Sequence, residues 1–246
     1  MAKDSFTTQR RGESYVWQTH RPLNCLVFVL PLLIFFQIGT LYYGTGLLAP
    51  RDLGRLLGFF GATAAYLPAV LIVAVLLAQH LARRDKWNIR LLVVAGMIGE
   101  SVLWMIPLVV LNHLTRGPLI QAALAAEGSF ANILQHVLVA VGAGVYEEFI
   151  FRLGMISLAM LLFVDVFELP KEAVAIGAVV IAACLFSLYH ISPDRIGSGE
   201  GFLWGDFAFR ALAGAYLGGV FLLRGFAVSV GTHIFFNLYV VYFQLA

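Results

Sequence analysis

The chain has 246 residues, of which 61% are hydrophobic and only 12% charged, and its mean hydropathy is +0.88. Soluble globular domains carry about 25% charged residues and have no need of apolar runs of ~18 residues or more, which recur here, so a soluble fold is excluded. A net charge of +2 is too mild for a nucleic-acid partner; the expected environment is the lipid bilayer.

Residues 1–22 form a polar, basic head with Lys3, Arg10, Arg11 and Arg21, partly offset by Asp4 and Glu13. Tyr15 and Trp17 suit the headgroup level, where amphipathic aromatics collect. The first apolar run behind the head is too long for a signal-peptide core and has no small-residue cleavage site, so it reads as a retained span. That span is expected over Leu23 to about Leu48, with Pro31 in its first third. Pro50 to Arg55 reads as a short connector, and Leu56 to His80 as the second span. A charged loop, Arg83-Arg84-Asp85-Lys86 with Arg90, precedes a third span over Leu91–Leu111 that carries Glu100 near its middle. Residues 112–118 are polar, and residues 119–130 suggest a short surface helix.

A fourth span begins near Ala131 and delivers Glu147 and Glu148. Leu153 to Leu169 is a shorter apolar piece that either crosses tilted or turns back. Pro170-Lys171-Glu172 opens the next helix, with proline and an acid where helix starts favour them. It ends near His190. A loop rich in Gly, Ser and Pro follows to Gly205, then helices over Phe207–Leu223 and Phe226–Phe243, separated by Arg224-Gly225. The expected fold class is all-α: a polytopic helical membrane protein with about eight membrane-embedded helices, each near the ~20-residue length of a span. No repeat or low-complexity tract divides it, so residues 23–246 read as one helical membrane domain with a catalytic core at 131–243. Cys25 and Cys184 both lie in apolar segments and read as buried hydrophobes. The head and the Arg83–Arg90 loop fall on one side and carry eight basic residues; Arg51, Arg55, Arg116, Lys171 and Arg224 are assigned to the other. The positive-inside rule then predicts a multi-pass protein of the cell (inner) membrane with a cytoplasmic N terminus.

The stretch Tyr146-Glu147-Glu148-Phe149-Ile150-Phe151-Arg152 sets two carboxylates and a guanidinium in apolar sequence. Each charge at that depth costs at least ~2.5–3.5 kcal/mol and needs a partner. Glu148 and Arg152 are four apart, share a helix face and can neutralise one another. Glu147 is rotated away and has no partner within a turn; a break in the helix at this point would exchange the roles of the two acids. A carboxylate held in a poorly solvated site can act as a base near neutral pH. His190 follows Phe186 by one turn, so the Phe186 ring can pack beneath the imidazole. His233 and Asn237 are also one turn apart and present an imidazole and a carboxamide to one point. Two donors so aimed suit an oxyanion formed in acyl transfer, and a carboxylate with a histidine suits activation of water. Counted from the segment starts, Glu147 and His190 lie late in their helices and His233 early in its own. A re-entrant or short helix must correct that difference in depth.

Each piece has a structural alternative: Glu pairs at helix ends are commonly solvated, and Asn in a membrane helix commonly bonds a neighbouring helix. The set as a whole, on three separate apolar segments, favours a site. Glu100 reads as the partner of Arg210 or a histidine, or as a residue lining the site, Asp206 and Arg210 as a pair at a helix start, and His136 as too far along its helix to join Glu147. Competing classes are a proton-coupled carrier, for which no internal repeat appears, and a non-catalytic immunity or scaffold protein, against which the intact set argues.

On these residues the sequence resembles the CAAX-protease and bacteriocin-processing (CPBP) family of intramembrane proteases. That family is marked by E-E-x-x-x-R, F-x-x-x-H and H-x-x-x-N or D. They stand here, in order, as Glu147–Arg152, Phe186–His190 and His233–Asn237. The resemblance covers about residues 131–243. It implies an intramembrane endopeptidase cleaving C-terminal or membrane-adjacent segments of a peptide or protein substrate with a membrane-associated tail. It assigns water activation to Glu147 and His190 and the oxyanion to His233 and Asn237, with Glu148, Arg152 and Phe186 in support. It implies no cofactor on the glutamate mechanism; on an older view of the family, zinc is held by Glu147, His190 and His233. Short loops and compact length look prokaryotic, which favours a bacterial peptide or sorting-tail substrate.

Overall fold

The computed structural model describes residues 14–43, 47–59, 61, 64–122, 130–191 and 204–245. Residues 1–13 of the head, most of the 119–130 surface helix and most of the 191–205 loop lie outside the described residues. Everything described is helical or turn; there is no strand among the described residues.

A single turn, α1 (Tyr15–Thr19), leads into α2 (Pro22–Tyr43), which contains Pro31 without breaking. The expected connector at Pro50–Arg55 is instead the middle of a helix, α3 (Leu48–Gly58). It is amphipathic: Ala49 and Leu53 face inward, while Arg51 and Arg55 are exposed. Pro50 lies in its first turn, where a missing N–H costs nothing. The second span consequently starts later than expected, as α4 (Leu67–Arg83), with proline again in its first turn. The third, α5 (Leu91–Ala122), does not stop at Leu111: Gly117 and Pro118 fail to end it, a tolerance that membrane helices show more than soluble ones.

The largest departure from expectation is at 130–166. α6 (Phe130–Glu148) runs without a break into a π-helical stretch, Phe149–Ile156, one α turn, Ser157–Ala159, and a second π stretch, Met160–Val166. The 153–169 piece is therefore neither a separate tilted crossing nor a re-entrant turn. No proline interrupts 130–166, and the chain stops only at Glu168, whose φ of +55 is left-handed, ahead of Pro170. α7 (Lys171–Tyr189) folds back along it, followed by α8 (Trp204–Arg224) and α9 (Phe226–Leu245). Five helices are long and apolar enough to cross a membrane, and α4 and the Phe226–Tyr242 part of α9 are shorter apolar helices. The count of about eight falls because two expected segments are one helix.

Two glycines fix the helices that carry the site. Gly225 alone separates α8 from α9, with φ +89, and a Cβ there would meet the Thr19 carbonyl oxygen at 2.8 Å. Gly144, one turn before Glu148, has no side chain to hold off Ile234, so α9 lies directly on α6. α9 packs against both α5 and α6, and α7 packs along α8. The main core gathers Phe28, Val29, Ile72, Val145, Tyr146 and Val228 at the centre of this bundle.

Candidate active site

Glu147 and Glu148 are the last residues of α6 before the helix widens. The wide turns that follow carry hydrogen bonds of the i→i−5 kind, as from the Ser157 N–H to the Arg152 carbonyl, and such segments are frequent at functional sites. Fusion of the two segments also removes the depth mismatch. Glu147 lies midway along the 130–166 helix instead of at its end, and α7 folds back beside it from the 167–170 turn. His190, just past the end of α7, thereby returns to the level of Glu147.

The two acids have different surroundings. Glu148 is fully buried and engaged on three sides. Its Oε1 accepts from His233 Nδ1 at 2.8 Å and lies 3.1 Å from Arg152 Nη1, and its Oε2 accepts from Ser229 Oγ at 2.5 Å. The Nη1 contact is close in distance but off the line of a hydrogen bond. Arg152 donates from Nη2 to the Gly214 carbonyl at 3.1 Å, and its guanidinium lies 4.7 Å from the centre of the Phe186 ring. A buried ion pair is retained at this depth only when such hydrogen bonds satisfy it.

Glu147 meets ring nitrogens at longer range: Nε2 of His190 at 3.5 Å and Nε2 of His233 at 3.9 Å. Each imidazole is anchored through its other nitrogen. His190 Nδ1 donates to the Phe186 carbonyl at 2.8 Å, with the Phe186 ring 4.7 Å away, centre to centre. His233 Nδ1 donates to Glu148. These partners assign the tautomers and leave both Nε2 atoms turned to the Glu147 carboxylate.

His190, His233 and Asn237 share a cavity of about 210 Å³ with Arg210, and Phe209 and Phe236 close its apolar side. At ~30 Å³ per molecule that volume holds several waters. Glu147 lies behind the two imidazoles, its side chain 8% exposed. Among the described residues, no group of three histidine, cysteine, aspartate or glutamate side chains gathers as a metal centre. The donor types at Glu147, His190 and His233 match a catalytic zinc set, but their spacing in this structure does not.

All seven residues singled out in the sequence come to this one place. Sequence reasoning missed Ser229, although it stands four before His233 and so shares its face. It also missed Tyr189, whose hydroxyl donates to Asp52 Oδ2 of α3 at 2.6 Å; nothing local in the sequence links these two. Arg210, expected to pair at a helix start, lines the cavity. Glu100 belongs elsewhere: it pairs with Arg224, not Arg210 or a histidine, and accepts hydrogen bonds from Tyr15 and Trp104. Arg224 is thereby at the end of the molecule that holds α1, a correction to the side assigned from sequence. His136 is exposed and away from the cluster, and Cys25 and Cys184 are free thiols.

Apolar helices of spanning length around a buried cluster of acids and histidines define a multi-pass membrane protein with a hydrolase-like centre. The model of the family described as type II CAAX prenyl endopeptidase Rce1-like matches residues 129–239, which include every one of those groups. Over that stretch the chain is similar to this family of proteases, the CPBP family that its three motifs resemble. No curated protein and no solved structure matches the chain.

Proposed function

We propose that the chain is an intramembrane endopeptidase, with residues 131–243 as its catalytic core, that cleaves C-terminal or membrane-adjacent segments of peptide or protein substrates. The observation that carries this reading is the position of the Glu147 carboxylate, facing Nε2 of both His190 and His233 while its neighbour Glu148 is consumed by structure. In the proposed step, a water gives a proton to Glu147 or His190 and its oxygen attacks the scissile carbonyl. The oxyanion takes hydrogen bonds from Asn237 Nδ2 and from Nε2 of a His233 that enters the step doubly protonated, its Nδ1 held by Glu148, and keeps both protons throughout. Collapse of the tetrahedral intermediate expels the amine, which leaves with the proton lent to Glu147 or His190. A bacterial peptide or sorting-tail substrate fits the compact chain, and the cell membrane with a cytoplasmic N terminus is its proposed location.

The test is incubation of the purified protein with a membrane-tail peptide, with and without a chelator, beside Glu147→Ala. Cleavage that survives chelation and is lost in Glu147→Ala supports the reading. Cleavage lost on chelation and restored by zinc supports the second reading, a zinc enzyme using Glu147, His190 and His233. Full biological activity in Glu147→Ala would make the chain a non-catalytic immunity or scaffold protein.

A further inference from the structure

The ends of the bundle differ in their number of Lys and Arg residues, and the site belongs to one of them. At the first end, Arg21 donates to the carbonyls of Asn88 and Lys86, Arg83 donates to the His20 carbonyl, and Arg224 joins Tyr15 at Glu100. These contacts place α1, the 84–90 loop and the α8–α9 turn together. Seven basic residues lie at that end among the described residues: Arg21, Arg83, Arg84, Lys86, Arg90, Arg224 and, at the start of α7, Lys171, assigned from sequence to the other side.

From that end α2 runs 22 residues, about 33 Å at 1.5 Å per residue, enough to cross a ~30 Å hydrocarbon core. α3 therefore sits at the opposite end. An amphipathic helix with Ala49 and Leu53 turned inward and Arg51 and Arg55 outward is built to lie at the headgroup level. Those two arginines, flanking Asp52, are the basic residues this helix contributes.

The site is tied to α3. The Tyr189 hydroxyl donates to Asp52 at 2.6 Å, and the next residue is His190. Ser187 Oγ donates to the Phe207 carbonyl at 2.8 Å, so the same end of α7 holds the start of α8, which supplies Arg210 to the cavity. The hollow thus lies beside the interfacial helix and away from the basic end. An excess of Lys and Arg in short loops marks the cytoplasmic side, which puts α3 and the hollow on the other.

We propose that the hollow opens toward the extracytoplasmic face, and that its substrates are polypeptides whose scissile bond lies where a membrane-spanning segment emerges on that face. The substrate half of this inference rests on the protease reading; the orientation half does not.

The test has two arms. First, in a Cys25→Ser, Cys184→Ser background, Arg55→Cys and Lys86→Cys are each treated with a membrane-impermeant maleimide in intact and in permeabilised bacterial spheroplasts. Arg51→Cys and Arg90→Cys serve as the second pair if either variant fails to accumulate in the membrane. The α3 variant should label within about twofold of its permeabilised level in intact spheroplasts, and the loop variant should rise about tenfold on permeabilisation. The reverse pattern, or equal labelling of both, overturns the orientation. Second, two single-span substrates are co-expressed, one with its tail outside and one with its tail inside, with Glu147→Ala as the blank. Cleavage of the outside-tailed substrate alone supports the inference, and cleavage of the inside-tailed one overturns it while keeping the protease. Should neither be cut while the labelling holds, the orientation stands and the substrate half falls with the protease reading.

Discussion

Glu147 and Glu148 are neighbours in the chain and belong to two different layers of the molecule. The inner layer, Glu148 with Arg152, Ser229 and His233, is closed: its acid is fully buried and engaged by a guanidinium, a hydroxyl and an imidazole at 2.5–3.1 Å. The outer layer, Glu147 with His190, His233 and Asn237, is loose, with acid-to-ring distances of 3.5 and 3.9 Å and a cavity of about 210 Å³ beside it. His233 belongs to both, one nitrogen in each. On the proposed reading the difference teaches how a membrane protein keeps a reactive carboxylate: the saturated neighbour holds the His233 ring, the Phe186 carbonyl holds the His190 ring, and Glu147 is left for water. The Glu100–Arg224 pair is a third arrangement. It is well satisfied like Glu148, faces no cavity residue of the site, and serves to join α1, α5 and α8.

If the layers have these separate roles, substitutions should divide cleanly between stability and turnover. The largest effect is expected in the inner layer. Arg152→Ala or Glu148→Ala leaves a buried charge without its partner and should cost about 3–5 kcal/mol of stability, read as a lowered melting temperature in detergent. Unchanged melting would mean that the pair is solvated and the layers are not distinct. Next, Asn237→Ala should lower turnover of a tail peptide by about 10²–10³-fold with melting unaltered, the cost of one oxyanion donor. A purely structural Asn237 would instead shift melting and spare turnover. Ser229→Ala removes one hydrogen bond to a buried carboxylate. It should cost about 1–3 kcal/mol in melting, with turnover falling less than in Asn237→Ala. The smallest effect is expected of Tyr189→Phe, which frees α3 from the end of α7. It should cost about 0.5–1.5 kcal/mol and raise the KM of a tail peptide more than it lowers kcat.

The site was more legible in the sequence than the path of the chain that builds it. Charge and imidazole in apolar segments are costly enough to announce themselves, and four-residue spacing put Glu148 with Arg152, Phe186 with His190 and His233 with Asn237 on shared faces. The path was harder because apolar runs carry no marker of where one helix passes into the next. Leu153–Leu169 read as a separate piece, since a span of ordinary length would already have ended. The continuous helix through two π stretches is a property of the backbone that no side chain signals. α3 was read as a connector because Pro50 and Gly54 suggest a break, yet proline in a first turn permits a helix. Long-range partners were beyond reach: Tyr189 finds Asp52 across 137 residues, and Glu100 finds Arg224 across 124. Both depend on which helices face one another.

The most direct test of the division between the two acids is a Glu147→Gln variant assayed for cleavage of a membrane-tail peptide and melted in the same preparation. The account predicts turnover down by about 10²–10⁴-fold, the contribution of a general base, with the melting temperature of the unsubstituted protein. Turnover retained at the original level in a folded Glu147→Gln protein would contradict it.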